Sequence, residues 1–253
     1  MVLTIDIGNT NILLGVFKGN ELLKNWRLAS RTARTSDEYA LDILSLLFFE
    51  KLKPEDIKGV IISSVVPPLD PIFERCIEKT FHIKPIFVNL DLDLGIKIGI
   101  ENPKEIGMDR VVGSVAAFNK TKTSTIVVDF GTATTFDVIN KEGVFIGGAI
   151  APGVLTSLEG LFLRTAKLPK VELSIPPSVI GRDTINAIRS GILYGWGGMV
   201  ERIVEEIEKK LGKTKIVVTG GVAHLVTPLI RREFLYDKFL TLEGLKIVYD
   251  RNR

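Results

Sequence analysis

Apolar residues recur along this chain on two periods, and the alternation between those periods lays out its elements. Residues 2–8, 11–18 and 21–29 are strand-like runs of Val, Ile and Leu, broken by Gly8-Asn9-Thr10 and Gly19-Asn20. Such small residues tolerate the positive φ of tight turns. Thr35 followed by Glu38 is a capping-box pattern, predicting an amphipathic helix from about Ser36 to Leu52. Residues 59–66 form a continuous apolar run, the mark of a buried strand, stopped by Pro67-Pro68. A helix over 71–81 and a short strand over 85–88 follow. The order is βββαβα(β).

The second half restarts at Thr125. Strands are predicted before and after Gly131-Thr132, and a third runs from 144 to 150 beyond the turn Lys141-Glu142-Gly143. A helix after Ala151-Pro152-Gly153 and a Pro-rich stretch over 166–180 come next. A long helix then reaches about Leu211, carrying Gly191, Gly195, Gly197 and Gly198. Each glycine costs roughly 1 kcal/mol inside a helix, which predicts close packing around them. A strand over 215–219 ends in Gly220-Gly221. Asp6 and Gly8 of the first half align with Asp129 and Gly131 of the second, an internal repeat at half the chain length. The expectation is two similar α/β domains, residues 1–118 and 119–253, facing each other across a cleft.

Composition narrows the function. The chain is 45% hydrophobic, yet its longest apolar runs are too short to span a bilayer. It opens directly on a strand and carries no signal-like segment, which predicts a cytoplasmic protein with no membrane partner. A net charge of +3 suits a small anionic ligand. No Lys/Arg block interleaves with aromatics, so nucleic acid is not expected as a partner. Cys76 reads as a small buried residue in a helix. His82 and His224 lie far apart and write no zinc site.

Candidate chemistry gathers at the repeated turns. A strand-end Asp such as Asp6 can hold Mg²⁺ through water, because Mg²⁺ keeps its waters and takes few carboxylates. Gly8 lets successive N–H groups converge on an anion, and Asn9, Thr10 and Asn11 add neutral donors. A polar hairpin with an ordinary capping Asp explains one such turn, but not two in matching positions. Gly107-Met108-Asp109-Arg110 follows a polar connection over 89–108, of a length that loops reserve for function or disorder. An Asp at a helix start can accept a hydroxyl proton, and an adjacent Arg can clamp a carboxylate or phosphoryl group; dipole capping is the plainer alternative. Thr184 reads as a helix N-cap or a ligand contact. Gly212-Lys213-Thr214 imitates the end of a P-loop, but Ile207 stands where its first glycine belongs, so Gly212 is expected to cap a helix.

Taken in order, the two turns, the Gly-Met-Asp-Arg loop and the segment Gly181-Arg182-Asp183-Thr184 resemble type III pantothenate kinase over essentially the whole chain. That family lies in the acetate kinase/sugar kinase/Hsp70/actin superfamily. The resemblance implies duplicated actin-like (ribonuclease H-like) domains, each a mixed βββαβα-type sheet with helices on both faces. It implies ATP-dependent phosphorylation of the primary hydroxyl of pantothenate, the first step towards coenzyme A, by a homodimer. Asp6, Ile7, Gly8, Asn9, Thr10, Asn11, Ile12 and Leu13 then correspond to the ATP phosphate loop, with Asp6 near Mg²⁺ and Thr132 a further ATP contact. Asp109 corresponds to the proton acceptor, residues 107–110 and Thr184 to pantothenate contacts, and Asp129 to the ligand of a monovalent cation, K⁺ or NH₄⁺. One position departs from the pattern: Ile100 stands where the family often has a substrate-side tyrosine. A sugar or small-acid kinase of the same fold, and a non-catalytic nucleotide-binding transcriptional accessory factor, are the competing readings.

Overall fold

The computed structural model describes residues 1–253, which divide into two compact units. The first comprises Met1–Asn119 together with Phe239–Arg253, and the second Lys120–Lys238.

In the first unit, β1 (Val2–Ile7), β2 (Asn11–Lys18), β3 (Glu21–Ala29), β4 (Gly59–Ser64) and β5 (Ile86–Phe87) form a sheet of order β3-β2-β1-β4-β5. The three N-terminal strands are antiparallel, while β4 and β5 continue parallel to β1. Alternation assigns the faces. Leu3, Ile5, Ile7, Val60 and Ile62 meet Tyr39, Ile43 and Leu47 of α1 (Ser36–Phe49) and Phe73, Cys76 and Ile77 of α2 (Asp70–Phe81). The capping box starts α1 as the sequence predicts, with the Glu38 N–H donating to Thr35 Oγ1 and the Thr35 N–H to the Glu38 carboxylate. Burial pushes the Cys76 thiol up to about 11, so this cysteine is an inert core residue. A two-residue strand β6 (Lys97–Ile98) precedes α3 (Met108–Thr121).

The second unit repeats the topology. β7 (Thr125–Phe130), β8 (Ala133–Ile139), β9 (Val144–Pro152), β10 (Lys215–Thr219) and β11 (Leu235–Tyr236) lie in the order β9-β8-β7-β10-β11. The first three are antiparallel and the last two parallel to β7. Ile126, Val128, Phe130 and Phe136 pack against α4 (Val154–Arg164) and α5 (Thr184–Leu211), and the short α6 (Ala223–Val226) follows β10. Gly212 ends α5 at φ +76°, confirming the cap and dismissing the P-loop imitation. No helix is long and apolar enough to cross a membrane.

Two expectations are corrected. The C-terminal segment does not stay with the second half: α7 (Leu240–Arg251) packs on β1, β2 and β4 of the first unit. Tyr249 fills the space that a side chain at Gly59 would need. This helix covers the sheet face opposite α1 and α2, a long-range contact that no local periodicity encodes. The helix α5 also runs unbroken through its glycines. Only Gly197 meets a close neighbour, the backbone of Leu229, while Gly191, Gly195 and Gly198 face open space.

Candidate active site

The site in the first unit is built where β1 and β4 end. Because Leu3, Ile5 and Ile7 enter the core, Asp6 projects from the opposite face, and it is only 8% exposed. Beyond it the chain turns tightly. The Gly8 N–H donates to the Asn11 carbonyl at 3.0 Å, the Ser30 hydroxyl donates to the Gly8 carbonyl, and the Ser30 N–H donates to the Thr10 carbonyl at 3.1 Å. Ile12 and Leu13 then pair with Ile7 and Asp6 as β2 begins. The turn therefore presents exposed Asn9 and Thr10 beside a buried carboxylate, on a backbone held by Ser30. No local pattern in the sequence marks Ser30 for this role.

The Gly-Met-Asp-Arg loop reaches the same edge. The Val65 N–H donates to the Ile7 carbonyl at 3.0 Å, continuing the β1–β4 pairing by one residue. Gly107 sits against this residue: a Cβ there would lie 3.3 Å from Val65 Cγ1 and 2.5 Å from Asp109 Oδ1. The absent side chain is what lets the Asp109 carboxylate lie at its place in the first turn of α3. Asp109 Oδ1 accepts the Arg110 N–H at 2.7 Å. Burial raises the Asp109 pKa above its ordinary value, partly opposed by the N–H and charge of Arg110. A carboxylate with raised basicity on a helix start is suited to take a proton. Met108 and Arg110 flank it, both half-buried, and Ile100 lies half-buried in the bend before Pro103. The preceding loop is not loose. The Asp93 carboxylate accepts the Gly95 N–H and an Arg251 guanidinium N–H, its N–H donates to Asn252 Oδ1, and its carbonyl accepts from the Asn252 amide, which anchors the loop to the end of α7.

In the second unit, Asp129 ends β7 on the face opposite Ile126, Val128 and Phe130, paired in register with Thr135 and Thr219. The turn after it is closed by the Gly131 N–H donating to the Ala133 carbonyl at 3.0 Å. The Thr132 carbonyl accepts from the Gly153 N–H at 3.1 Å and from the Thr156 hydroxyl at 2.8 Å, so the start of α4 fixes this turn. Gly220, at φ +106°, presses on the same carboxylate: a Cβ there would meet Phe130 N at 2.4 Å and Asp129 Oδ1 at 2.6 Å. Gly220→Ala is expected to cost about 1–3 kcal/mol from backbone strain and overpacking, read from the denaturant midpoint. Thr184 is the first residue of α5, but the cap is Asp183, whose carboxylate accepts the Asn186 N–H at 2.8 Å. The exposed Thr184 instead lines an open hollow of ≈ 540 Å³ with Leu161, Leu168 and Ile188.

No group of three or more His, Cys, Asp or Glu side chains converges among the described residues. A lone strand-end carboxylate fits Mg²⁺, which retains waters and takes its remaining ligands from nucleotide phosphates. Beside Asp6 in the β1–β4 register lies Ser63, a fully buried hydroxyl that makes no hydrogen bond, so polar capacity adjoins the carboxylate.

Two α/β units of one topology, each carrying a strand-end Asp and a glycine turn, define the actin-like fold of the acetate kinase/sugar kinase/Hsp70/actin superfamily. Solved structures agree on the fold. A putative Baf family transcriptional activator from Campylobacter jejuni superposes with a TM-score of 0.61 at 20% identity, covering 98% of this chain and 97% of that one. An activator of 2-hydroxyisocaproyl-CoA dehydratase from Clostridium difficile, with bound ADPNP, gives 0.56 at 14% identity, covering 98% and 94%. The sequence profile of type III pantothenate kinase matches residues 2–206. A type III pantothenate kinase of Pelobacter propionicus is 46% identical over 254 residues, covering 100% of both chains. The chain belongs to the type III pantothenate kinase family.

Proposed function

We propose that this protein transfers the γ-phosphoryl group of ATP to the primary hydroxyl of pantothenate, giving 4′-phosphopantothenate and ADP. The observation that carries the reading is Asp109. It is raised in pKa and held by Gly107 at the sheet edge where the Asp6 turn ends, in a chain that matches its kinase relatives end to end. Phosphoryl transfer calls for positioning and charge neutralisation more than for covalent chemistry. The turn from Asp6 to Leu13 cradles the triphosphate through backbone N–H groups and Asn9, Thr10 and Asn11, with Thr132 as a second contact. Asp6 would hold Mg²⁺ through water, and the ion would supply charge neutralisation to the triphosphate. Asp109 orients the alcohol and takes its proton as oxygen bonds to phosphorus and ADP leaves. Arg110, Met108, Gly107 and Thr184 contact pantothenate, with Ile100 at the position of the family's frequent tyrosine.

Asp129, on a face shared with Thr135 and pressed by Gly220, is assigned the monovalent cation, K⁺ or NH₄⁺. Ile150, Leu155, Phe162, Ile185 and Tyr194 are exposed on the second unit, apolar surface of the kind a homodimer buries. The protein is assigned to the cytoplasm, where ATP is available. A non-catalytic regulator leaves the Gly107–Asp109 arrangement without a task, and against a sugar kinase, which would use the same base, stands the full-length match to pantothenate kinases.

The raised pKa gives a test by pH. The base works ionised, so kcat falls as pH drops through the Asp109 pKa. That acidic limb is expected above 3.8, the ordinary aspartate value, and is absent in Asp109→Asn. For stability the sign is opposite to that of a salt-bridged carboxylate. Burial disfavours the ionised form, so above the unfolded pKa the charged Asp109 weakens the fold. Asp109→Asn should therefore melt no lower than the wild type at neutral pH. A wild-type limb at or below the ordinary value would remove Asp109 from the role of base.

A further inference from the structure

We infer that Ser63 is a positioning residue of the metal–nucleotide site, its hydroxyl linking the Asp6 carboxylate to a water carried by the bound divalent cation. The inference rests on the reading of Asp6 as the Mg²⁺-side carboxylate. Ser63 lies on β4 directly beside Asp6 in the parallel register, on strands about 4.8 Å apart. Its neighbours Val60 and Ile62 enter the core with Leu3 and Ile5, so Ser63 and Asp6 leave the sheet on the same, opposite face.

Ser63 is 0% exposed and its Oγ has no hydrogen-bond partner. Thr4, one position back on that face of β1, behaves differently: its hydroxyl donates to the Gly15 carbonyl at 3.2 Å. A buried hydroxyl left unpaired is costly, and such groups in folded proteins call for an explanation in a ligand or water that completes them. Register places the Asp6 carboxylate next to it, at a strand end that opens on exposed donors. A serine hydroxyl both donates and accepts. It can donate to the Asp6 carboxylate while accepting from a metal-bound water, which a methyl group at that position cannot do. Mg²⁺ retains several waters in such sites, so an outer-sphere partner of this kind acts on metal binding without being a ligand.

The experiment measures ADP affinity by calorimetry with Mg²⁺ and in EDTA, for the wild type, Ser63→Ala and Ser63→Cys. Manganese binding is followed in parallel by the electron paramagnetic resonance of free Mn²⁺. Wild-type ADP binding should tighten with Mg²⁺, and both variants should lose about tenfold of that gain, the scale of one hydrogen bond to a charged group. Metal-free ADP affinity should stay unchanged, and the melting temperature unchanged or higher, since an unpaired buried hydroxyl has been removed. Cysteine preserves volume, so the loss in Ser63→Cys separates the hydroxyl from packing. Equal Mg²⁺ effects in variants and wild type would overturn the role of Ser63 and leave the Asp6 assignment standing. No Mg²⁺ effect in the wild type itself would overturn both.

Discussion

Asp109→Asn lowers kcat by about 10²–10⁴-fold, the range a positioned general base supplies, and leaves ATP affinity close to wild type. The substitution keeps the shape of the side chain and much of its hydrogen bonding, so the Arg110 N–H retains an acceptor. It removes the lone pair that receives the alcohol proton. Nucleotide contacts are assigned to the turn from Asp6 to Leu13, and none of them is altered. The loss should therefore appear in kcat, with little change in KM for ATP. Because the carboxylate is raised in pKa by burial, its removal gives no stability penalty to confuse the result. Near-normal turnover in a folded Asp109→Asn protein would contradict the assignment.

Gly107→Ala should produce a loss of similar character without touching the base itself. The added Cβ would lie 2.5 Å from Asp109 Oδ1, a distance that cannot be held, and 3.3 Å from Val65 Cγ1. Of the two, the carboxylate tip is the one that can move, by rotating about its side-chain bonds, while Val65 is tied to β1 through its N–H. The fold then survives and the base is displaced. A displacement near 1 Å costs on the order of 10²-fold in rate. The expected result is a kcat loss of about that size with an unchanged melting temperature. Unaltered kcat would show that the position of Asp109 does not matter to the reaction.

What the sequence made legible was local. The strands β1 to β3, the Thr35 capping box, the Gly212 cap and the Asp-x-Gly turns are fixed by neighbours within a few residues, and each lies where its pattern predicts. The actin-like fold and the family followed from the order of those turns. What stayed hidden depends on contacts distant in sequence. The return of α7 to the first unit, the Gly59–Tyr249 contact and the anchoring of Asp93 by Arg251 join opposite ends of the chain. Ser63 was hidden because it sits inside a run over 59–66 that reads as one buried strand, and only the register with Asp6 shows which carboxylate it lies beside. The glycines of α5 misled for the same reason, since composition shows the cost of a glycine but not whether anything approaches it.

The most direct measurement is ADP release from ATP and Mg²⁺ with pantothenate, with and without K⁺, against a panel of sugars and short hydroxy acids. The account predicts turnover that requires pantothenate and is stimulated by K⁺. Turnover with another alcohol and none with pantothenate would contradict it, as would tight ATP binding without turnover on any acceptor.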